Sequence, residues 1–280
     1  MTLPPPVSLS APLPTKRDFG LLDAAKVILE TGRFPVSASI LDYPTGELSV
    51  QVAGAHGSMG TKAFNARIDQ QDVFGFTVYL GVTCTTVSAK DPEFRQRLQA
   101  SFRAHESQMV EAMLVDANGE QVEPYLTDGN MENFGAAVSP TEGIAKLENA
   151  IGLVGNGMIH VTPGTFTALD AAGVVQRRSP GIIETGQGTT VVVGAGYIGA
   201  YPQGGSSPTG DQEWAFASGL VEVHRDEDEI IGPTIGQSMD RSTNDVDLIA
   251  ERNYLLAWVG RQAPGDTNHV QAGVLIDRSL

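Results

Sequence analysis

"SAKDPEFRQRLQASFRAHESQMVEAMLVDANG", residues 88–119, is the stretch on which the fold turns. Asp91 stands where an N-cap belongs and Pro92 at the first helical position, where a missing N–H costs nothing. Phe94, Leu98, Phe102, Met109 and Met113 then fall on one apolar stripe, while Arg95, Arg97, Arg103, Glu106 and Glu111 lie largely off it. The spacing predicts a helix from Pro92 to Leu114. At about 1.5 Å per residue it is roughly 34 Å long, enough to act as a spine for a domain.

Upstream, "FGFTVYLGVTCTTV" (74–87) reads as a core strand running into that helix. Before it, "SASIL" (37–41) and "ELSVQVAG" (47–54) are separated by Pro44-Thr45-Gly46 and followed by the glycine-rich "AGAHGSMG" (53–60), which predicts a two-stranded β excursion. In "DFGLLDAAKVILETG" (18–32), Leu21, Leu22, Ala25, Ile28 and Leu29 sit at helical spacing and Gly32 is placed as a C-cap, predicting a short amphipathic helix. The leader "LPPPVSLSAPLP" (3–14) cannot form a helix or bury itself, and two readings stay open: a disordered tail, or an arm ordered by a neighbouring subunit.

Downstream, residues 116–137 are turn-rich and polar and carry no assignment. "SPTEGIAKLENAIGLVGNG" (139–157) opens on a capping box, Ser139, Pro140 and Glu142, and buries Ile144, Leu147 and Ile151. "MIHVTPGTFTALDAAG" (158–173) reads as strand, turn and short helix; "VVQRR" and "GIIETG" as hairpin pieces; "TTVVVGAGY" and "WAFASGLVEVHRD" as strands. "LIAERNYLLAWVG" (248–260) and "HVQAGVLIDRS" (269–279) are expected to pair with each other. The fold class is α+β.

One motif invites a chemical reading. Gly194, Gly196 and Gly199 match G-x-G-x-x-G after the apolar run Val191, Val192, Val193, as in an NAD(P)-binding loop. That chemistry needs a helix start whose free N–H groups and dipole hold the pyrophosphate. Here Pro202, Gly204, Gly205, Pro208 and Gly210 follow instead, and no acidic residue arrives on a later βα unit. A glycine-rich strand end and loop is the better reading, so no cofactor is expected.

The remaining chemistry is sparse. The histidines at 56, 105, 160, 224 and 269 are scattered without metal-ligand spacing, and His160 is expected to be a hydrogen-bonded core residue. Cys84, the only cysteine, excludes an intrachain disulfide and reads as a structural thiol in a strand. "RDEDEIIG" (225–232) lacks the spacing of a calcium loop, and "GQSMD" (236–240) holds half a nucleophile elbow. No convergent acid, base and nucleophile emerges, so the expectation is a non-enzyme. With 18 Lys+Arg against 33 Asp+Glu, a net charge of −15 opposes binding to nucleic-acid backbones or anionic lipid over most of the surface. No apolar window approaches a membrane span and no leader pattern opens the chain, so a cytoplasmic-type soluble protein without membrane contact is expected.

Taken in order, the parts resemble the major capsid proteins of tailed bacteriophages, the Hong Kong 97-type shell fold. "VTCTTVSAKDPEFRQRLQASFRAHESQMVEAML" is similar to that family's strand entering its spine helix, and "GIAKLENAIGLVGNGMIHVTPGTFTAL" to its axial-domain helix, strand and helix. "GQGTTVVVGAG" looks like the next strand, and the segment from Ser242 to Leu280 resembles the late Arg-containing strand and last strand. The resemblance implies an N-terminal arm and short helix (1–34), an extended E-loop (35–80), a peripheral domain with spine helix (81–137), an axial domain (138–240) and return strands (241–280).

It further implies self-assembly into hexamers and pentamers of an icosahedral head that encloses double-stranded DNA without sequence-specific binding. Assembly would occur in the host cytoplasm, with scaffold, portal or decoration proteins as further partners, and the virion as the final location. An encapsulin-type compartment is the alternative within the same fold. Implied subunit-interface residues are Pro4, Pro5, Pro6, Pro12 and Pro14 in the arm, and Tyr43, Lys62, Phe64 and Phe74 in the excursion. Gly199, Tyr201, Gly204 and Gly205 are implied as a loop near a capsomer centre, where small residues permit close approach.

Overall fold

The computed structural model describes residues 12–41, 70–85, 91–116, 125–129, 131–152, 157–179, 181–227, 230–233, 239–240, 245–258 and 271–279. Among these, the long helix α2 forms as expected, Pro92–Asp116, with Asp91 accepting from the Glu93 N–H at 2.9 Å. Its sequence neighbours differ from expectation. Residues 21–29 are not one amphipathic helix: α1 is a single turn, Leu21–Ala24, and the chain then extends into β1, Lys26–Glu30. The periodicity misled because Val27, Ile28 and Leu29 are as suited to a strand, and pairing with a distant strand decided between the two.

That strand is β10 (Val221–Asp226), which β1 joins in parallel. Beyond it lie β13 (Asp245–Trp258), β3 (Gln70–Thr85) and β2 (Ser37–Leu41), giving the order β1-β10-β13-β3-β2, with β11 (Ile230–Pro233) and β12 (Met239–Asp240) also on β13. The backbone of this sheet is the antiparallel ribbon of β3 and β13, in register from Asp245 opposite Thr85 to Leu255 opposite Gly75.

The second sheet has the order β4-β14-β9-β5-β8-β7-β6. Its strands are β4 (Glu132–Asn133), β5 (Met158–Val161), β6 (Val175–Ser179), β7 (Ile182–Thr185), β8 (Thr190–Val193), β9 (Gln212–Ser218) and β14 (Ala272–Asp277). Helices α3 (Pro140–Gly152) and α4 (Pro163–Ala171) belong to it. Helix α3 starts at the capping box read from its sequence, where Ser139 Oγ accepts from Glu142 N–H at 3.4 Å; α4, expected only as a short helix, is capped by Thr162, which accepts from Thr165 N–H at 3.1 Å. The expected 174–186 hairpin is the antiparallel pair β6–β7. The two C-terminal strands do not pair with each other; β13 lies in the first sheet and β14 in the second, against β9.

Alternation along the strands explains why the second sheet is covered on both faces. Ile159, Val161, Val191, Ala215, Ala217, Val274 and Ile276 pack with Ile144, Leu147 and Ile151 of α3. Met158, Val192, Trp214, Phe216 and Leu275, one residue out of phase, join the core that holds Leu98, Phe102, Val110 and Leu114 of α2 and Val223, Tyr254 and Trp258 of the first sheet. The chain also crosses directly between sheets, since only Gly219 and Leu220 separate β9 from β10. No helix among the described residues is long and apolar enough to cross a membrane.

Helix α2 thus touches both sheets, and its buried side rotates along its length. Leu98 and Phe102 are buried in the first half, then Glu106, Ser107, Val110, Glu111, Leu114 and Val115 in the second. The stripe read from sequence holds for Leu98 and Phe102 and fails at Met109, which is 41% exposed.

Candidate functional site

Two carboxylates that the sequence placed off the apolar stripe are the most constrained groups of α2. Glu106 is buried against the first sheet, where its Oε2 receives Arg252 Nη1 at 2.6 Å and the Tyr254 hydroxyl at 2.8 Å. Arg225 Nη1 of β10 lies 3.7 Å from Oε1. Burial, with the Glu106 charge alongside, pushes the Tyr254 phenol well up, so the hydroxyl stays a donor. The spine is thereby fastened to β13 and β10 by charge as well as by packing.

Five residues on, Glu111 faces the other way. One carboxylate oxygen accepts the Leu21 N–H at 3.1 Å and the Ser107 hydroxyl at 3.0 Å, and the other accepts the Gly196 N–H at 3.1 Å. Burial raises its pKa, Asp23 adds to the rise, and the three hydrogen bonds oppose it. One side chain therefore joins the base of the N-terminal segment, the helix and the glycine-rich turn after β8.

This geometry answers the question raised by G-x-G-x-x-G. After β8 the chain makes a single 3-10 turn, Ala195–Tyr197, and no α-helix follows. A Cβ at Gly196 would meet the Gln108 carbonyl oxygen, Glu111 Cβ at 2.5 Å and the Ala112 nitrogen at 2.7 Å; one at Gly194 would meet the Glu111 carboxylate. The glycines are spaces for a helix. The amide that a phosphate would need is already donated to Glu111, and Gly194 N–H is donated to the Val161 carbonyl at 3.0 Å.

Behind the turn, Tyr197 and His160 are fully buried. His160 Nδ1 lies 3.0 Å from the Tyr197 hydroxyl and Nε2 2.8 Å from Ser218 Oγ, which is the hydrogen-bonded core role read from sequence. Burial lowers the imidazole pKa from 6.5 to about 3. The sign follows: the folded chain keeps His160 neutral while the unfolded chain takes up a proton below 6.5. This contribution to stability is complete above pH 6.5 and is lost as pH falls toward 3, at up to about 1.4 kcal/mol per pH unit. Glu111 has the opposite sign, its raised pKa favouring the fold at low pH and less as pH rises. Urea unfolding at pH 7.5, 6.5, 5.5 and 4.5 should show a shallower acid slope for His160→Gln than for wild type; equal slopes would remove His160 from the account.

The other residues singled out from sequence are dispersed. Pro4, Pro5, Pro6, Tyr43, Lys62 and Phe64 lie outside the described residues. Pro12 and Pro14 are exposed outside any helix or strand, and Phe74 is 49% exposed on β3. Gly199 and Gly204 have φ of +78° and +76°, and Tyr201 is about half exposed. Their loop is tied back at Gln203, whose N–H reaches the Thr127 carbonyl at 3.0 Å, and at Ser206, whose carbonyl accepts from Trp214 Nε1 at 3.0 Å. Cys84 is partly buried, with a thiol pKa pushed up by burial and by Asp245 and Asp247, the reverse of an activated nucleophile. Among the described residues no group of three His, Cys, Asp or Glu is placed to hold a metal.

Glu106 was within reach of sequence reasoning, since it continues Leu98 and Phe102 in steps of four and faces an apolar strand that contains Arg252 and Tyr254. Glu111 carried no such signal. It is buried by a turn that approaches the back of the helix from nearly a hundred residues away.

No protein-family model matches the chain, and no curated protein does. Solved structures do. The chain is similar to the Microbacterium phage Oxtober96 structure at 14% identity and a TM-score of 0.56, over 99% of this chain and 95% of that one. It is similar to a capsid chain of an empty GTA particle at 12% identity and a TM-score of 0.57, over 98% and 94% of the two chains. Gordonia phage Cozz gives 12% identity and 0.57 over 98% and 91%. At this identity the likeness shows the fold, which is the phage-capsid shell fold expected from the order of elements.

Proposed function

We propose that this chain is a major capsid protein that assembles copies of itself into the icosahedral head of a tailed phage, around DNA that it encloses without reading its sequence. The observation that carries this is the extent of the likeness, which spans 98–99% of this chain and 91–95% of the phage and GTA chains compared. The phage and GTA particles among those neighbours favour a genome container over a protein-cargo compartment of encapsulin type.

In this reading the first sheet with α2 is the peripheral domain, and the second sheet with α3 and α4 is the axial domain. The proline-rich leader and the 35–80 excursion are the pieces that reach neighbours, and Pro12, Pro14 and Phe74 are exposed as such contacts require. Ile198 and Tyr201, 61% and 48% exposed in the glycine-rich loop, are apolar surface available to an adjacent copy. The net charge of −15 suits a container whose contents must be mobile during packaging. The working residues are structural, with no turnover and no cofactor, and the finished protein resides in the virion.

Negative-stain microscopy of the purified, concentrated chain tests this. Closed shells, or six- and five-membered rings of uniform size, are expected. Monomer-sized particles throughout a series of protein, salt and crowding-agent concentrations would overturn it.

A further inference from the structure

The N-terminal segment leaves the body at Phe19-Gly20-Leu21, and the turn there is strained. Phe19 has φ +73°, the one non-glycine residue among those described with a positive value, in a region a bulky L side chain occupies only when its surroundings impose it. The surroundings do so from four elements. Val193 N–H of β8 donates to the Phe19 carbonyl at 2.9 Å, and Leu21 N–H donates to Glu111 of α2. The Gly20 carbonyl accepts from Asp23 and Ala24 N–H in α1 at 3.0 and 3.2 Å. On the outside, the Arg177 guanidinium of β6 lies 5.1 Å from the Phe19 ring centroid and 5.7 Å from that of Phe166, gripped between two aromatic faces.

Gly20 has no room for a side chain, since a Cβ there would meet Ser107 Oγ at 2.6 Å and Glu111 Oε1 at 2.8 Å. Before the turn Lys16 forms an ion pair with Asp23 of α1, while residues 12–17 are exposed and belong to no helix or strand. The inner half is fixed at Leu21 and Leu22, which are buried. The outer half carries one unfavourable dihedral and is held by the Phe19 ring packed against the core of the second sheet, by the Val193 bond, by the Lys16–Asp23 pair and, on the outside, by the Arg177 clamp.

We propose that Phe19 is a strained latch. Arg177 is the exposed part of its hold in the isolated subunit, where residues 12–18 are solvent-exposed but tied back at Lys16 and Phe19. Relaxing Phe19 to negative φ swings that segment outward without disturbing Leu21, which frees it for a neighbouring copy; this last clause rests on the assembly reading above. The strain is the bias toward release, and the cation between two rings is the restraint.

Trypsin cleavage after Arg17 reads the latch on the unassembled chain, by mass spectrometry of the released 1–17 fragment. Arg177→Ala removes only the exposed clamp and should raise the cleavage rate about tenfold at unchanged Tm. Phe19→Asn, which tolerates positive φ, should stay within about threefold of wild type although its ring is gone. Cleavage of Arg177→Ala at the wild-type rate, or of Phe19→Asn as fast as Arg177→Ala, would overturn the latch. Light scattering should show a shorter assembly lag for Arg177→Ala, and an unchanged lag would overturn its part in assembly. A chain that forms no particles at all fails the capsid reading, while the cleavage ratio still decides the latch.

Discussion

Gly196→Ala should lose its soluble fold, or melt roughly 10 °C below wild type, for a cost of about 3 kcal/mol or more. The added methyl meets the Gln108 carbonyl, the Ala112 nitrogen and Glu111 Cβ, all main chain or first side-chain carbon, so no rotamer change relieves the clash. Opening the gap would also lengthen the hydrogen bond from Gly196 N–H to a buried carboxylate. Gly199→Ala, three residues later in the same motif, has open space for its methyl and meets only its positive φ, so about 1–2 kcal/mol is expected. A dinucleotide loop would lose ligand affinity at both positions; here one is ruinous and the other mild, and NAD should leave the wild-type Tm unmoved. Thermal melts of the two variants, with and without NAD, check this. Equal small losses at both, or a Tm raised by NAD, would refute it.

Arg252→Met should cost about 3–5 kcal/mol, because it leaves the Glu106 charge buried without its nearest cation. The pair itself is not worth that much. Glu106→Leu combined with Arg252→Met puts apolar groups where both charges were, so the double variant should be more stable than Arg252→Met alone. It should still fall short of wild type, since Tyr254 and Arg225 also lose an acceptor in Glu106. Urea unfolding of the two single variants and the double gives the cycle. A double variant less stable than Arg252→Met would mean that Glu106 stabilises the fold without the arginine.

Where an element is decided by its own residues, the sequence was sufficient. Asp91-Pro92 and Ser139-Pro140 each announce a helix start, because capping and the missing proline N–H are local chemistry. Where pairing with a remote strand decides, it was not. Val27, Ile28 and Leu29 fit a helix stripe or a strand equally, and β10, nearly two hundred residues away, settles the matter. The same holds for the last two strands, each apolar enough to pair with the other and drawn instead to opposite sheets. Of the candidate site, absence of a helix after the glycines was legible from Pro202 and Gly204. The identity of the group filling the space was not, since a carboxylate on the back of an amphipathic helix looks like any solvated acid until a second layer covers it.

The half-turn drift of the buried face along α2 has a mechanical consequence. Two neighbouring points in the C-terminal half of the rod are held from different sides, Glu106 by β13 of the first sheet and Glu111 by the turn after β8 of the second. Tilting one sheet against the other therefore loads one short stretch of helix from two sides and is not absorbed by sliding the helix along either sheet. The two sheets are thereby coupled through one helix, so any change in the angle between them has to break or bend one of these two carboxylate attachments.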